Sequence, residues 1–216
     1  MRNKVLSCSL ILCLLASQPL WASMAASAET AAAAAIADPK AMVQDTADRV
    51  LAEVSSKKDE LKASPQKIYP LVEEIVLPRF DFARMSQLVL GRYWKTASDQ
   101  QKEAFTNEFR QLLVRTYATA LLNYSGQQIK YGPFNAAPDA AEVTVETEVA
   151  ADGAKAIPIN YSVYRADAGW KVFDVTIDGV SLVSNYRSSF GKEVQRYQLD
   201  GLIKRLAERN ASGSGE

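Results

Sequence analysis

Apolar residues recur at helical spacing through the stretch from residue 39 to residue 124. Asp38-Pro39 is typical of an N-cap followed by proline in the first helical turn, and Ser64-Pro65 repeats this start signal. Asp81 can cap a third segment, Phe82 to Leu90, which Gly91 ends. The pattern therefore predicts three helices before residue 92.

The longest predicted helix begins with a capping-box pattern, Ser98 followed three residues later by Gln101. A wide apolar stripe rich in large side chains continues from Phe105 to Tyr124, and Ser125-Gly126 ends the run. These signals predict a single helix of about 27 residues, roughly 40 Å long.

After Gly126 the hydrophobic period changes to two, which is typical of half-buried strands. The alternating residues fall into four runs: Ile129 and Tyr131; Val143, Val145, Thr147 and Val149; Ile157, Ile159, Tyr161 and Val163; Lys171, Phe173, Val175 and Ile177. Asp152-Gly153 and Asp167-Ala168-Gly169 separate neighbouring runs and suit hairpin turns. Four strands in an antiparallel meander are predicted.

The helical period returns beyond Asp178-Gly179, from Leu182 to Tyr197 and again from Leu202 to Asn210. Helices, a sheet and helices again predict a single α+β domain, in which a four-stranded antiparallel sheet packs against several helices. We place this domain at residues 39–210. Residues 29–38 are predicted to be a flexible Ala-rich segment, and residues 211–216 a disordered tail.

The first 28 residues have the pattern of a signal peptide. Arg2 and Lys4 precede an apolar run of signal-sequence length, and Ala26-Ser27-Ala28 offers small residues for cleavage before Glu29, with an earlier cut near Ala22 as the alternative. A lipobox-like Cys8 follows Lys4 too closely to leave room for an apolar region. Export is therefore predicted, and no later segment approaches the roughly 18 apolar residues of a spanning helix.

Composition excludes several classes of function. The chain contains no histidine, which removes Ser-His and Cys-His nucleophile pairs and His-Zn sites. Its two cysteines, Cys8 and Cys13, both lie in the predicted signal peptide. With 25 basic and 25 acidic residues, the chain offers no electrostatic footprint for nucleic acid. We therefore predict no metal, no catalytic residue and no nucleic-acid partner.

Carboxylates are the remaining candidates for chemistry. Asp174 and Asp178, or Asp81 near Arg84, could serve acid-base work in an isomerase-like pocket, whereas capping or solvated carboxylates are the simpler interpretation. An enzyme or binder for another apolar small molecule therefore stays open as the alternative function. Asn210-Ala211-Ser212 matches the glycosylation pattern and is assigned no role.

The apolar faces of the predicted helices are larger than the area needed to cover one face of the sheet. Ordinary core packing accounts for each residue separately, but the stripes together allow an apolar cavity between helices and sheet. Arginines beside aromatic residues, such as Arg92 before Tyr93 and Arg187 after Tyr186, could contact phosphate, or could equally form surface ion pairs.

Five segments have a more specific pattern than helix or strand periodicity requires: Phe82-Ala83-Arg84-Met85-Ser86-Gln87-Leu88-Val89-Leu90-Gly91-Arg92-Tyr93-Trp94-Lys95-Thr96-Ala97, Trp170-Lys171-Val172-Phe173-Asp174-Val175, Gly179-Val180-Ser181-Leu182, Asn185-Tyr186-Arg187 and Gly201-Leu202-Ile203. These segments resemble the MlaC family, the toluene-tolerance auxiliary components of a lipid ABC transporter. The resemblance covers the chain from about residue 41 to residue 210.

This resemblance implies a non-enzymatic, monomeric periplasmic carrier that maintains outer-membrane lipid asymmetry. Its partners would be phospholipids, an inner-membrane MCE-domain ABC transporter complex and an outer-membrane lipoprotein-porin complex. Acyl tails would lie in a cavity between sheet and helices, with the phospholipid as cargo and no cofactor.

The candidate contacts with the tails come from the predicted inward faces, where core packing is the competing explanation. On helices they are Met85, Leu88, Val89, Trp94, Phe105, Phe109, Leu112, Leu113, Tyr117 and Leu121, and on strands Val145, Ile159, Tyr161, Val163, Phe173, Val175 and Ile177. Arg92 and Arg187 are the candidates for the cavity mouth or for docking.

Overall fold

The computed structural model describes residues 38–134, 137, 139–150 and 155–212, so the predicted signal peptide and most of the Ala-rich segment lie outside the described residues. Seven α-helices are present in this part: α1 Pro39–Ser56, α2 Lys58–Ala63, α3 Ile68–Ile75, α4 Phe82–Leu90, α5 Arg92–Thr96, α6 Asp99–Ala118 and α7 Leu182–Ser212. Short 3₁₀ helices span Pro65–Lys67, Leu77–Arg79 and Thr119–Asn123.

Local capping explains where three helices begin. The Asp38 carboxylate accepts from the Lys40 backbone N–H at 2.8 Å at the start of α1, and Asp81 accepts from the Arg84 N–H at 2.9 Å at the start of α4. Ser98 and Gln101 form both bonds of the predicted capping box before α6. The sequence signals for these helix starts are confirmed.

The sheet has five antiparallel strands in the order β1-β2-β3-β4-β5: β1 Gln128–Tyr131, β2 Glu142–Ala150, β3 Ile157–Ala166, β4 Gly169–Ile177 and β5 Val180–Ser181. The first four are the predicted meander. The fifth has only two residues, which is too short to leave an alternating pattern in the sequence. The α+β fold class is confirmed, with five strands in place of four.

Two predicted helix ends need correction. The α-helical part of α6 stops at Ala118, after 20 residues, and the chain tightens into the 3₁₀ helix that ends at Asn123. Such tightening of the last turn is common, and it leaves the apolar spacing nearly unchanged. At the other end of the chain, α7 continues to Ser212, two residues beyond the predicted end at Asn210.

The final helix bends where the sequence pattern is interrupted. Gln198 has φ 61°, a conformation that non-glycine residues rarely adopt, so α7 consists of two helices joined at a kink. Gly201 follows the kink, where a Cβ would lie 2.7 Å from the Tyr197 Cβ. Glycine is therefore required for the close approach of the two halves.

The buried side chains form two separate clusters. The larger joins α4, α6 and α7 to the inner face of the sheet, with Phe105, Phe109 and Val163 completely buried. The smaller lies among α1, α2, α3 and the end of α6, around Ile68. Within the described residues, no helix is both long and apolar enough to cross a bilayer.

Candidate functional site: an apolar cavity open at one end of the sheet

A cavity of about 690 Å³ lies between the two buried clusters. This volume falls within the range of roughly 300–1,000 Å³ that small-molecule sites occupy. Helices α1, α3, α4 and α6 form one side of the cavity, and strands β1 to β4 form the other.

The cavity wall is predominantly aliphatic and aromatic. Its apolar residues on helices and connections are Met42, Val43, Ala47, Val50, Leu51, Val72, Val76, Leu77, Phe80, Phe82, Met85, Leu113, Val114, Ala118, Ala120, Leu121 and Leu182, and those on strands are Ile129, Val149, Ile157, Ile159, Val172, Val175 and Ile177. Polar atoms come from Thr46, Arg79, Tyr117, Asn123, Tyr124, Gln127, Lys155 and Tyr161.

The strand register shows where the cavity opens. Ile129 pairs with Val149, Val149 pairs with Ile157, and Ile159 pairs with Ile177, so these residues lie at one end of the sheet. Lys155 precedes this row, and Ile157 within it is 48% exposed. The cavity mouth therefore lies at the end of the sheet where β3 begins and β4 ends.

Eight of the predicted contact residues line the cavity. They are Met85, Leu113, Tyr117 and Leu121 on the helical side, and Ile159, Tyr161, Val175 and Ile177 on the strands. Tyr161 pairs with Val175 and Ile159 pairs with Ile177, which places all four strand residues on one face of the sheet.

Six others are buried in solid packing away from the cavity wall. Phe105 and Phe109 stack at 5.7 Å between ring centroids, and both meet Phe190 edge-on, so they hold α6 against α7. Val89 and Leu112 belong to the same cluster. Val145 pairs with Tyr161 and Val163 pairs with Val143, so both lie farther from the mouth than the row at Ile157, and both belong to the larger cluster. None of these six side chains lines the cavity, and their contact with a lipid tail stays a prediction.

Of three further candidates, Leu88 and Trp94 lie at the edge of the larger cluster and Phe173 lies outside it. Leu88 and Trp94 are half-buried, and the Lys102 ammonium lies 5.9 Å from the Trp94 ring centroid. Phe173 is the extra residue of a β-bulge, because Val163 pairs with Val172 and Ser162 with Asp174. The bulge turns Phe173 to the outer face of the sheet, against Tyr164 and Arg84. None of the three lines the cavity.

Arg92 and Arg187 lie outside the cavity wall as well. Arg92 is exposed and donates to the Tyr93 hydroxyl at 2.8 Å. Arg187 packs across the backbone of Gly91 at the end of α4, since a Cβ at Gly91 would lie 2.9 Å from Arg187 Nη2. The basic residues of the wall are instead Arg79, which is 3.7 Å from Asp45, and Lys155 at the mouth.

The largest contribution that the sequence reasoning missed comes from α1. Six residues of this helix line the cavity, among them Met42, Ala47 and Leu51. The sequence signal was present, because Val43, Ala47, Val50 and Val54 follow helical spacing, but such spacing shows only that one face of the helix is apolar.

Of the three candidate acid-base carboxylates, Asp174 and Asp81 serve as helix caps and Asp178 is exposed. Asp174 accepts from the Val175 N–H at 2.8 Å, the Val183 N–H at 3.0 Å and the Ser181 hydroxyl at 2.5 Å, which fixes the start of α7. Asp81 accepts from Arg84 N–H and from the Tyr164 hydroxyl. Asp178 is an exposed turn residue with φ 46°. The interpretation of these residues as caps and solvated carboxylates is therefore favoured over acid-base chemistry.

The predicted glycosylation sequence at Asn210 is also structural. The Asn210 side chain is buried and donates to the Glu108 carbonyl oxygen at 3.0 Å and to Glu108 Oε2 at 2.7 Å. Among the described residues, no group of three or more histidine, cysteine, aspartate or glutamate side chains is arranged to hold a metal ion.

Two phenols of the cavity wall, Tyr117 and Tyr161, remain uncharged at neutral pH. Burial raises the pKa of Tyr161, and burial together with the neighbouring Tyr186 raises the pKa of Tyr117 to about 12. Neither phenol ionises near neutrality, and histidine is absent from the chain. The polar atoms of Tyr117 and Tyr161 therefore add no pH-dependent charge to the apolar wall.

We expect the free energy of unfolding to fall above pH 10 because of these two tyrosines. Below that pH both phenols keep their protons in the folded and the unfolded protein, so they contribute no pH dependence. Above it the unfolded chain releases the protons first, which favours unfolding as the pH rises toward the folded pKa. Urea unfolding of the wild type and the Y117F/Y161F variant tests this: their difference in stability should change between pH 10 and 12 and stay constant from pH 6 to 9.

An α+β fold with an open, mostly apolar cavity of this volume defines a binding protein for an apolar ligand. The model of the MlaC protein family matches residues 44–208, and the chain belongs to this family. The resemblance found in the sequence is thereby confirmed, and membership of this family also confirms the prediction that the protein is not an enzyme.

Two curated relatives match most of the chain. The toluene tolerance protein ttg2D of Pseudomonas putida is 27% identical over 159 residues, which are 73% of this chain and 74% of the relative. The intermembrane phospholipid transport system binding protein MlaC of Haemophilus influenzae is 25% identical over 182 residues, which are 83% of this chain and 85% of the relative.

A solved structure shares the fold. The phospholipid-binding protein from Ralstonia solanacearum, determined in complex with a phospholipid, is 36% identical and superposes with a TM-score of 0.76. The match covers 82% of this chain and 99% of the other.

Proposed function

We propose that this protein binds phospholipid in its apolar cavity and transports it between membranes. The observation that carries the proposal is the open cavity lined by aliphatic and aromatic residues from both buried clusters. The Ralstonia protein of the same fold, determined in complex with a phospholipid, supports this choice of ligand.

The energetics require such a cavity for transport through water. Two acyl chains of about 16 carbons expose roughly 30 methylene groups, and at about 0.8 kcal/mol each their exposure costs on the order of 24 kcal/mol. Inside a wall as apolar as a bilayer this cost disappears, so transfer between membrane and carrier is nearly neutral. A small difference in affinity for two partners then suffices to set a direction.

The tails would contact the eight predicted residues that line the cavity, together with the α1 residues Met42, Val43, Ala47, Val50 and Leu51. The head group would remain at the mouth, where Lys155 supplies a cation for the phosphate. Because the other wall residues are mainly apolar, we expect tails to determine affinity and head groups to matter little.

The cellular setting completes the proposal. Cleavage of residues 1–28 would release a monomeric domain into the periplasm, with boundaries near residues 39 and 210. There it would exchange lipid with an outer-membrane lipoprotein-porin complex and an inner-membrane MCE-domain ABC transporter complex. The effect would be to maintain the lipid asymmetry of the outer membrane. Arg92 and Arg187, which lie outside the cavity, are candidates for docking to these complexes.

Native mass spectrometry of the protein purified from its host tests the lipid assignment directly. We expect a bound mass equal to one or two phospholipids, which disappears after organic extraction and is identified in the extract. An unliganded mass that persists after incubation with phospholipid vesicles would contradict the proposal and favour a different apolar ligand.

A further inference from the structure

Exposed aliphatic side chains are concentrated beside the cavity mouth. Among the described residues, the exposed large hydrophobic side chains are Ile157 at 48%, Val180 at 55% and Tyr197 at 37%. Two of these three lie at the same end of the sheet. Ile157 begins β3 and Val180 begins β5, next to the end of β4.

The register brings these residues together. Val180 pairs with Ile177, and Ile177 pairs with Ile159, two residues after Ile157. The turn that carries Val180 is fixed to the start of β3 because the Asp178 N–H donates to the Pro158 carbonyl oxygen at 2.9 Å. We call the surface formed by Lys155, Ile157, Asp178 and Val180 the rim.

We propose that the rim is the surface by which this protein touches a lipid bilayer during exchange of its cargo. The inference rests on the proposed function. With the rim against the bilayer, the apolar wall continues from Ile159 and Ile177 through Ile157 and Val180 into the acyl region. A lipid tail then moves between bilayer and cavity without crossing water, which removes most of the cost of its exposure.

Lys155 is the residue of the rim whose charge suits lipid phosphate. Lys155 Nζ lies 3.9 Å from Asp178 Oδ1, between side chains that are 88% and 67% exposed. Such an exposed pair contributes little energy, so the ammonium is free to approach lipid phosphate. The charged residues of the cavity wall, Lys155 and Arg79, are both cationic.

The size of the rim favours a bilayer over a protein partner. A stable protein interface buries about 800 Å² on each side, with roughly 20 residues, whereas the described residues give the rim two exposed aliphatic side chains. Two such side chains in a bilayer give a weak and reversible contact, since even a myristoyl chain binds only marginally. A carrier that must leave the membrane after loading needs contact of this strength.

Val180 permits a clean test because it belongs to the rim and does not line the cavity. The assay is transfer of fluorescent phosphatidylcholine between vesicles of phosphatidylethanolamine and phosphatidylglycerol, with purified protein and no membrane protein. We expect V180D to lower the transfer rate at least about tenfold, because an aspartate opposes insertion where a valine favours it. V180W should raise the rate, since tryptophan prefers the membrane interface.

The matched control is Y197D, which changes the third exposed hydrophobic residue, at the kink of α7 and away from the cavity wall. Its transfer rate should stay within about twofold of the wild type. Native mass spectrometry should show phospholipid bound to wild type, V180D and Y197D alike.

The outcomes separate the two proposals. If the wild type carries no phospholipid, the proposed function fails. If it carries phospholipid but V180D and V180W both transfer at the wild-type rate, the rim assignment is wrong and the carrier function stands. Transfer that occurs only after a membrane protein is added to the vesicles also overturns the rim assignment, because the protein would then exchange lipid by binding a membrane protein.

Discussion

The A47W variant should fold normally and retain less than about a tenth of the phospholipid that the wild type retains. Ala47 lies on α1, lines the cavity and is half-buried, so a larger side chain at this position points into the space proposed for acyl tails. A tryptophan buries about 150–250 Å² of its own surface and would occupy that space permanently. Lipid retention is measured by native mass spectrometry, and folding by circular dichroism and urea unfolding.

The same helix offers a matched control. Ala52 is exposed on α1, so A52W adds an identical side chain without filling the cavity. We expect A52W to retain lipid as the wild type does. Full lipid retention by a folded A47W variant would show that the tails do not use the α1 side of the cavity, and equal loss in both variants would point to a general effect of tryptophan on α1.

The D174A variant should lose about 3 kcal/mol of the free energy of unfolding. The carboxylate accepts three hydrogen bonds, from two backbone N–H groups and from Ser181, whose own oxygen accepts from the Ser184 N–H at 3.0 Å. Its removal leaves donors unpaired at the junction of β4, β5 and α7. For a chain of this size the expected decrease in Tm is about 6–12 °C.

Asp59 provides the comparison for this variant. It lies in the first turn of α2 and is exposed, so D59A should cost less than about 1 kcal/mol through the helix dipole alone. If D174A is as stable as D59A, the network around Asp174 does not determine the position of α7. D174A should still retain lipid at low temperature, because Asp174 does not line the cavity. If D174A is as stable as the wild type but retains less lipid, Asp174 has a functional role beyond capping α7.

The strands show which features hydrophobic alternation predicts and which it does not. The four runs after Gly126 predicted β1 to β4, because side chains that alternate between core and solvent leave a period of two. They did not predict the bulge between Val163 and Ser162, which turns Phe173 to the outer face. A bulge depends on pairing with the neighbouring strand, and alternation within one strand does not record it.

Phe109 and Tyr117 illustrate the same limit for helices. Both lie on α6 and both belong to its apolar stripe, yet Phe109 packs against Phe190 whereas Tyr117 lines the cavity. Their spacing is helical in either case, since a stripe reports that a side chain is removed from water and not what it contacts. Of the seventeen predicted contact residues, eight therefore line the cavity, six fill the core and three do neither.

The sequence by itself determined the helix starts at Asp38, Asp81 and Ser98, four of the five strands, the α+β class and the exclusion of histidine chemistry, because caps, alternation and composition are local properties. Only the tertiary structure decided that α1 forms a wall, that the cavity opens beside Ile157, and that Asp174 caps α7. These features depend on which segments distant in sequence meet. A cavity forms where the side chains of two clusters do not pack against each other. The hydrophobic period of a single helix or strand does not show where this occurs.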